Sequence, residues 1–224
     1  MLVTPKEMIK SWGADNLMRY DASVVAGLKI PQESKDFLID VGMPRWYGAD
    51  RVFGFPTNDL PSLLSVSEEH FSLPPNYIPL RFDFPQKYRS YHILGIDGFD
   101  VKKTQGQELG PVFSFVCLDE RTEGRILRVR AGWYKSGKPR WEAAFFNSSV
   151  LHLAKFLILT PQRSPRFKKA LARRGDVQLT YEEQERLFRA VGQRIVRRLQ
   201  KIDPPACALG AVWSPTLSHY RLGM

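Results

Sequence analysis

Two apolar periods alternate along this chain, and the places where one gives way to the other predict its elements. After Ile30-Pro31, Phe37, Leu38 and Val41 recur at helical spacing, and Gly42 followed by Pro44 stops that segment. Upstream, Thr4-Pro5-Lys6-Glu7 combines a hydroxyl cap, a first-turn proline and a glutamate three residues after the cap, so a short helix opens the chain and ends at Trp12-Gly13. Arg45 to Pro85 is rich in Pro, Gly and aromatic residues and reads as irregular, with extended pieces at Val52 to Phe55 and Tyr77 to Phe82. Strand-like runs follow. Tyr91 to Ile96 ends at the turn dipeptide Asp97-Gly98, Val112 to Leu118 and Arg125 to Arg130 form a hairpin across Asp119 to Gly124, and a turn from Trp133 to Pro139 leads into a strand ending at Phe146.

At Asn147-Ser148-Ser149 the helical period returns without a linker, through Val150, Leu151, Ala154, Leu157 and Ile158. The three polar residues are of the types that accept hydrogen bonds from amides at a helix start, so the cap is expected among them. Thr180-Tyr181-Glu182-Glu183 repeats the capping pattern, and Leu187, Val191, Ile195, Leu199 and Ile202 trace a long amphipathic helix closed by Asp203-Pro204-Pro205. Trp213 is expected to anchor the tail. Sequential strands with helices at both ends predict an α+β fold whose mainly antiparallel sheet has about five or six strands. Residues 1–159 are expected to form the α+β core, 160–179 a basic connection, and 180–224 a C-terminal helix and tail packing on the same domain.

Composition narrows the class. The chain has 224 residues, 43% hydrophobic and 25% charged, which suits a globular protein with a real core. It shows no internal repeat, secretion signal or membrane-length apolar run, so a cytoplasmic protein with no membrane contact is expected. Cys117 and Cys207 are too few for a disulfide framework, and Cys117 lies in an apolar run suited to a packed thiol. The net charge of +10 is concentrated: residues 160–201 hold 12 Lys and Arg against 4 Asp and Glu, leaving 21 against 19 elsewhere. Part of that charge complements a helix dipole, since Glu182, Glu183 and Glu185 precede Arg194, Arg197, Arg198 and Lys201.

Little in the sequence points to catalysis. His70, His92, His152 and His219 lie at no metal-ligand spacing, no Gly-x-Ser-x-Gly elbow surrounds a serine, and no glycine loop of phosphate-binding type occurs. Asp119-Glu120 are adjacent carboxylates at a hairpin tip, where they are expected to point apart and stay solvated. No catalytic residue, metal or cofactor is expected. A nucleic-acid surface is an alternative, because Arg163, Arg166, Lys168, Lys169, Arg173 and Arg174 form a basic arm beside Arg186, Arg189, Arg194 and Arg197. Phe167 and Tyr181 are interleaved there for base stacking.

Taken in order, Gly42-Met43-Pro44, Leu94-Gly95, Cys117-Leu118-Asp119 with Gly124, Phe146-Asn147-Ser148-Ser149 and Ile202-Asp203-Pro204 with Trp213 form a series. It resembles the fourth group of the SUKH superfamily, bacterial immunity proteins directed against polymorphic toxins. The resemblance runs from about residue 4 to 218 and implies a SUKH-like binding fold, a cognate toxin as partner, and inhibition by covering the toxin's active surface rather than by catalysis. The matched motif residues are structural: Gly42 a helix stop, Asn147 a cap, Asp203 and Pro204 a terminator. Candidate partner-binding anchors are Trp46 and Tyr47 after the helix stop, and Trp133, Tyr134 and Arg140 around the last hairpin. An acidic face on the toxin would suit Arg163 to Arg174. The oligomeric state is left open.

Overall fold

A computed structural model of the chain describes residues 2–44, 53–54, 64–65, 85–88, 90–100, 103–104, 107–108, 112–133, 139–160 and 180–222. The opening helix α1 spans Pro5–Trp12, and its capping box is reciprocal: Glu7 N–H donates to Thr4 Oγ1 at 3.2 Å and Thr4 N–H donates to Glu7 Oε2 at 3.0 Å. A two-residue strand β1 (Leu17–Met18) and a five-residue helix α2 (Ala22–Ala26) follow, both too short for a period to reveal. Helix α3 (Gln32–Asp36) continues directly into a π turn over Phe37–Val41, and the pair together form the predicted helix before Gly42. Strand β2 (Met43–Pro44) then pairs antiparallel with β1.

Among the described residues the main sheet is antiparallel and has six strands: β3 (Phe53–Gly54), β4 (Leu64–Ser65), β5 (Tyr91–Asp100), β8 (Val112–Asp119), β9 (Arg125–Trp133) and β10 (Pro139–Asn147). Its order is β10-β9-β8-β5-β3, with β4 also on β5, while β6 (Lys103–Thr104) and β7 (Gln107–Glu108) form a separate hairpin. The α+β fold with a mainly antiparallel sheet is thus present, and the β8–β9 hairpin falls where the sequence places it. Of the two extended pieces in the irregular region, the first corresponds to β3; Tyr77 to Phe82 lies outside the described residues.

One boundary differs. Asp97-Gly98 does not end its strand, for β5 runs on to Asp100 and absorbs the pair in a register shift between Ile96 and Phe99. A glycine can relieve a strand as a bulge instead of reversing it. A second shift leaves Leu94 without a partner across β8, and its carbonyl accepts the buried Tyr20 hydroxyl at 2.9 Å. Burial holds that phenol well above its ordinary pKa, so it remains a donor.

Around the middle of the sheet both faces are buried, which explains why the apolar pattern there alternates only loosely. Leu94, Val116, Leu118, Ile126 and Phe146 join the helix-side core, whereas Ile93, Phe115, Cys117 and Val129 are buried outside it. Helix α4 (Val150–Leu159) buries eight of its ten residues and packs against β10, β9, α1 and the long helix α5 (Tyr181–Ile202). A helix apolar on every side belongs between layers. Helix α5 has its own reciprocal capping box between Thr180 and Glu183 and turns Ile195, Val196 and Leu199 inward. The tail forms one more helix, α6 (Ser214–Leu222), whose available signal was Pro215 in its first turn. Among the described residues no helix is long and apolar enough to cross a membrane.

Lys155 ties α4 to α1 through a 2.7 Å bond to Glu7 Oε1. That bond, followed by the Thr4 amide, holds the Glu7 carboxyl below the usual glutamate range. A lowered folded-state pKa gives stability that is complete above the reference value of 4.5 and is lost as pH falls through the lower folded value. Because Glu7 is partly exposed, Lys155→Met is expected to remove only about 0.5 kcal/mol near neutral pH. Urea unfolding near pH 6 and pH 3 checks this: the variant should show a smaller acid loss than the parent, and an equal loss would assign it to other carboxylates.

Candidate functional site

Four strand ends meet at one end of the sheet: β5 begins, β8 ends, β9 begins and β10 ends there. The last of these carries the Asn147-Ser148-Ser149 junction, and its chemistry differs from the sequence expectation. Ser149, not Asn147, caps α4, its hydroxyl accepting from His152 N–H at 3.3 Å. Asn147 is still a strand residue and wholly buried. The cause is a bulge: Phe145 faces Leu127 and Asn147 faces Ile126, so Phe146 is an extra residue and both it and Asn147 turn to the helix side.

There Asn147 joins distant elements. Its Nδ2 donates to Asp203 Oδ2 at 3.1 Å, and its Oδ1 accepts from Trp213 Nε1 at 3.0 Å. Asp203, the residue that ends α5 as expected, also accepts from Ser148 N–H at 2.8 Å and Ser148 Oγ at 2.7 Å. Trp213 packs against Phe146 and Phe156 with ring centroids 5.2 and 5.4 Å away. Val212 N–H donates to Phe145 O at 2.9 Å, so the tail pairs with the outer edge of β10. These polar groups bond one another, and the assembly is a buried clamp.

The β8–β9 turn beside it also departs from expectation. Asp119 is 4% exposed rather than solvated. It accepts from Ser90 Oγ at 3.3 Å, from Arg121 N–H at 3.1 Å and from Arg121 Nε at 3.2 Å. Its carboxylate raises the Arg121 guanidinium further above its ordinary value. Glu120 accepts from Lys29 N–H at 2.8 Å and lies 3.3 Å from His92 Nε2, tying the turn to the α2–α3 loop. The carboxylates therefore do point apart, each into a structural contact. Gly124, at φ 85°, brings the turn against Ile30.

An open groove of about 500 Å³ runs between these features, lined by Pro31, Thr122, Glu123, Arg125, Ser148 and Ser149 among others. Arg125 lies over the Phe145 ring with its guanidinium carbon 5.7 Å from the centroid. The one nucleophile-like arrangement here is Ser149 Oγ, 2.8 Å from His152 Nδ1, a pair the sequence reading missed because it sought elbows and metal spacings. A serine nucleophile needs its base oriented by a third group, and among the described residues no carboxylate bonds the other nitrogen of His152. The hydroxyl caps α4. Cys117 is fully buried and free, and burial pushes its thiol far up, out of the nucleophilic range. No cluster of His, Cys, Asp and Glu able to hold a metal occurs among the described residues.

Of the anchors chosen from sequence, Trp133 and Arg140 lie on adjacent strands at the opposite end of the sheet, Trp133 across from Pro139 and Arg140 across from Gly132. Trp46, Tyr47, Tyr134, Arg163, Arg166, Lys168, Lys169, Arg173 and Arg174 lie outside the described residues. The basic face of α5 is described: Arg186, Arg189, Arg194, Arg197, Arg198 and Lys201 are all exposed.

The family model described as SUKH-4 immunity protein matches residues 3–219. The chain matches no curated protein and no solved structure.

Proposed function

The chain belongs to the SUKH-4 immunity protein family, and from that membership we propose that it binds a cognate bacterial toxin domain and silences it by covering its active surface. The observation that carries this reading is the span of the match, residues 3–219, which takes in every described element from α1 through the greater part of α6. The site chemistry agrees with it. Asn147, Ser148, Asp203 and Trp213 bond one another, Asp119 is taken up by Ser90 and Arg121, and Ser149 caps α4. Polar groups arranged in this way hold a scaffold; they do not await a substrate.

In this reading the protein acts in the cytoplasm without turnover, and affinity comes from a standard interface of about 800 Å² on each partner. Trp133 and Arg140, with Trp46, Tyr47 and Tyr134, are the proposed aromatic and arginine anchors. The exposed cations of α5 favour nucleic acid as the second reading.

Co-expression with the toxin domain encoded beside this chain's gene tests the proposal. The two should co-purify, and the chain should restore growth of cells making the toxin. Loss of both results, together with salt-sensitive binding to generic DNA or RNA, would replace the immunity reading with the nucleic-acid one.

A further inference from the structure

Among the described residues, the outward face of α5 carries a long row of exposed cations. From Arg186 to Ile202 the helix has six Lys and Arg and no Asp or Glu. With a turn every 3.6 residues, Arg186, Arg189, Arg194, Arg197, Arg198 and Lys201 fall within about half the helix circumference and along roughly 22 Å of its length. The side that buries Ile195 and Leu199 faces away from them.

Helix electrostatics account for only part of this row. The dipole favours a cation in the last turn, which here is Lys201. Arg186 and Arg194 lie well before it. Arg194 has Arg197 and Arg198 three and four residues on, and Arg197 has Lys201 four residues on, spacings at which like charges repel. Among the described residues no carboxylate lies within ion-pair distance of Arg186, Arg194, Arg197, Arg198 or Lys201, and Arg197 Nε reaches only the Gln193 carbonyl at 3.4 Å. Such a row reduces the stability of its own helix, and an opposing set of negative charges would relieve it.

We propose that this face is a docking surface for an acidic protein surface, and, resting on the immunity reading above, that its occupant is a carboxylate-rich face of the toxin domain. Carboxylates suit the row better than a nucleic-acid strand does. The exposed positions between the cations, Ala190, Gln193 and Gln200, offer no ring on which an unpaired base could stack. The charge would chiefly raise the rate of encounter.

Association of the full chain with the toxin domain encoded beside its gene, followed by biolayer interferometry, tests the proposal. The variant Arg186→Glu/Arg194→Glu/Arg197→Glu should bind about 100-fold more slowly at low salt, and the wild-type on-rate should fall about tenfold or more between about 50 and 500 mM NaCl. The corresponding triple Lys variant should retain most of the rate. Circular dichroism confirms folding, and the milder Arg194→Gln/Arg197→Gln should shift the rate in the same direction. If wild type binds and the Glu variant matches it in rate and salt dependence, the face is not the docking surface, although the immunity reading stands. If wild type does not bind the toxin, that reading falls and this proposal with it. Loss of binding to a short DNA duplex with toxin binding unchanged would assign the face to nucleic acid instead.

Discussion

Gly42→Ala is expected to destabilise the protein by about 4 kcal/mol or more, a size confined to a few mechanisms. Two of them coincide at this residue. Gly42 has φ 82° and ψ −174°, a region that residues with a Cβ almost never enter and that costs about 1–3 kcal/mol when they do. A Cβ built there would also run into the carbonyl oxygen of Met18, with the Met18 carbonyl carbon 2.5 Å away and Arg19 N 2.8 Å away. Those atoms are backbone, and Met18 is paired with Met43 in the β1–β2 ladder, so neither side can yield without breaking that pairing. Gly42 N–H also closes the π turn on Phe37 O at 2.8 Å. Denaturant unfolding of the variant checks the prediction. A loss under about 1 kcal/mol would mean that β1 and β2 are not held against each other as described.

Asp203→Ala should remove about 3 kcal/mol, because it leaves three donors buried or half-buried without their acceptor: Asn147 Nδ2, Ser148 N–H and Ser148 Oγ. For a chain of this size the midpoint of thermal unfolding should drop by roughly 6–12 °C. Asn147→Ala acts on the same network and also strips the acceptor from Trp213 Nε1. Since the two residues share a bond, the double variant should lose distinctly less than the sum of the singles. Additive losses would show that the clamp is not one unit. The size separates two roles for Asn147, because a helix cap is worth about 1 kcal/mol and a buried three-element bridge more.

Much of the fold was legible from residues three and four apart. Thr4 with Glu7 and Thr180 with Glu183 announced two helix starts, and both boxes are reciprocal in the structure. The helix stop at Gly42, the β8–β9 hairpin and the end of α5 at Asp203 fell where turn and capping chemistry place them. Less of the candidate site could be read. Asp119 looked like a solvated turn carboxylate because Ser90, 29 positions away, is not visible in the local pattern. Asn147 looked like a cap because its residue type and position fit one, yet the bulge at Phe146 moves the cap two residues on. Strand β4, two residues long, has no period of its own and pairs with β5.

What the sequence determined by itself was the order and kind of the long elements, since periodicity, caps and turn dipeptides act within one turn of helix or one hairpin. Tertiary structure alone decided where Asn147 points, which strands shift register, and that both faces are covered around the middle of the sheet. Those outcomes depend on partners far along the chain, Asp203 at 56 positions and Trp213 at 66 from Asn147. A buried polar group must find its partner wherever packing brings one, and no local pattern records that search.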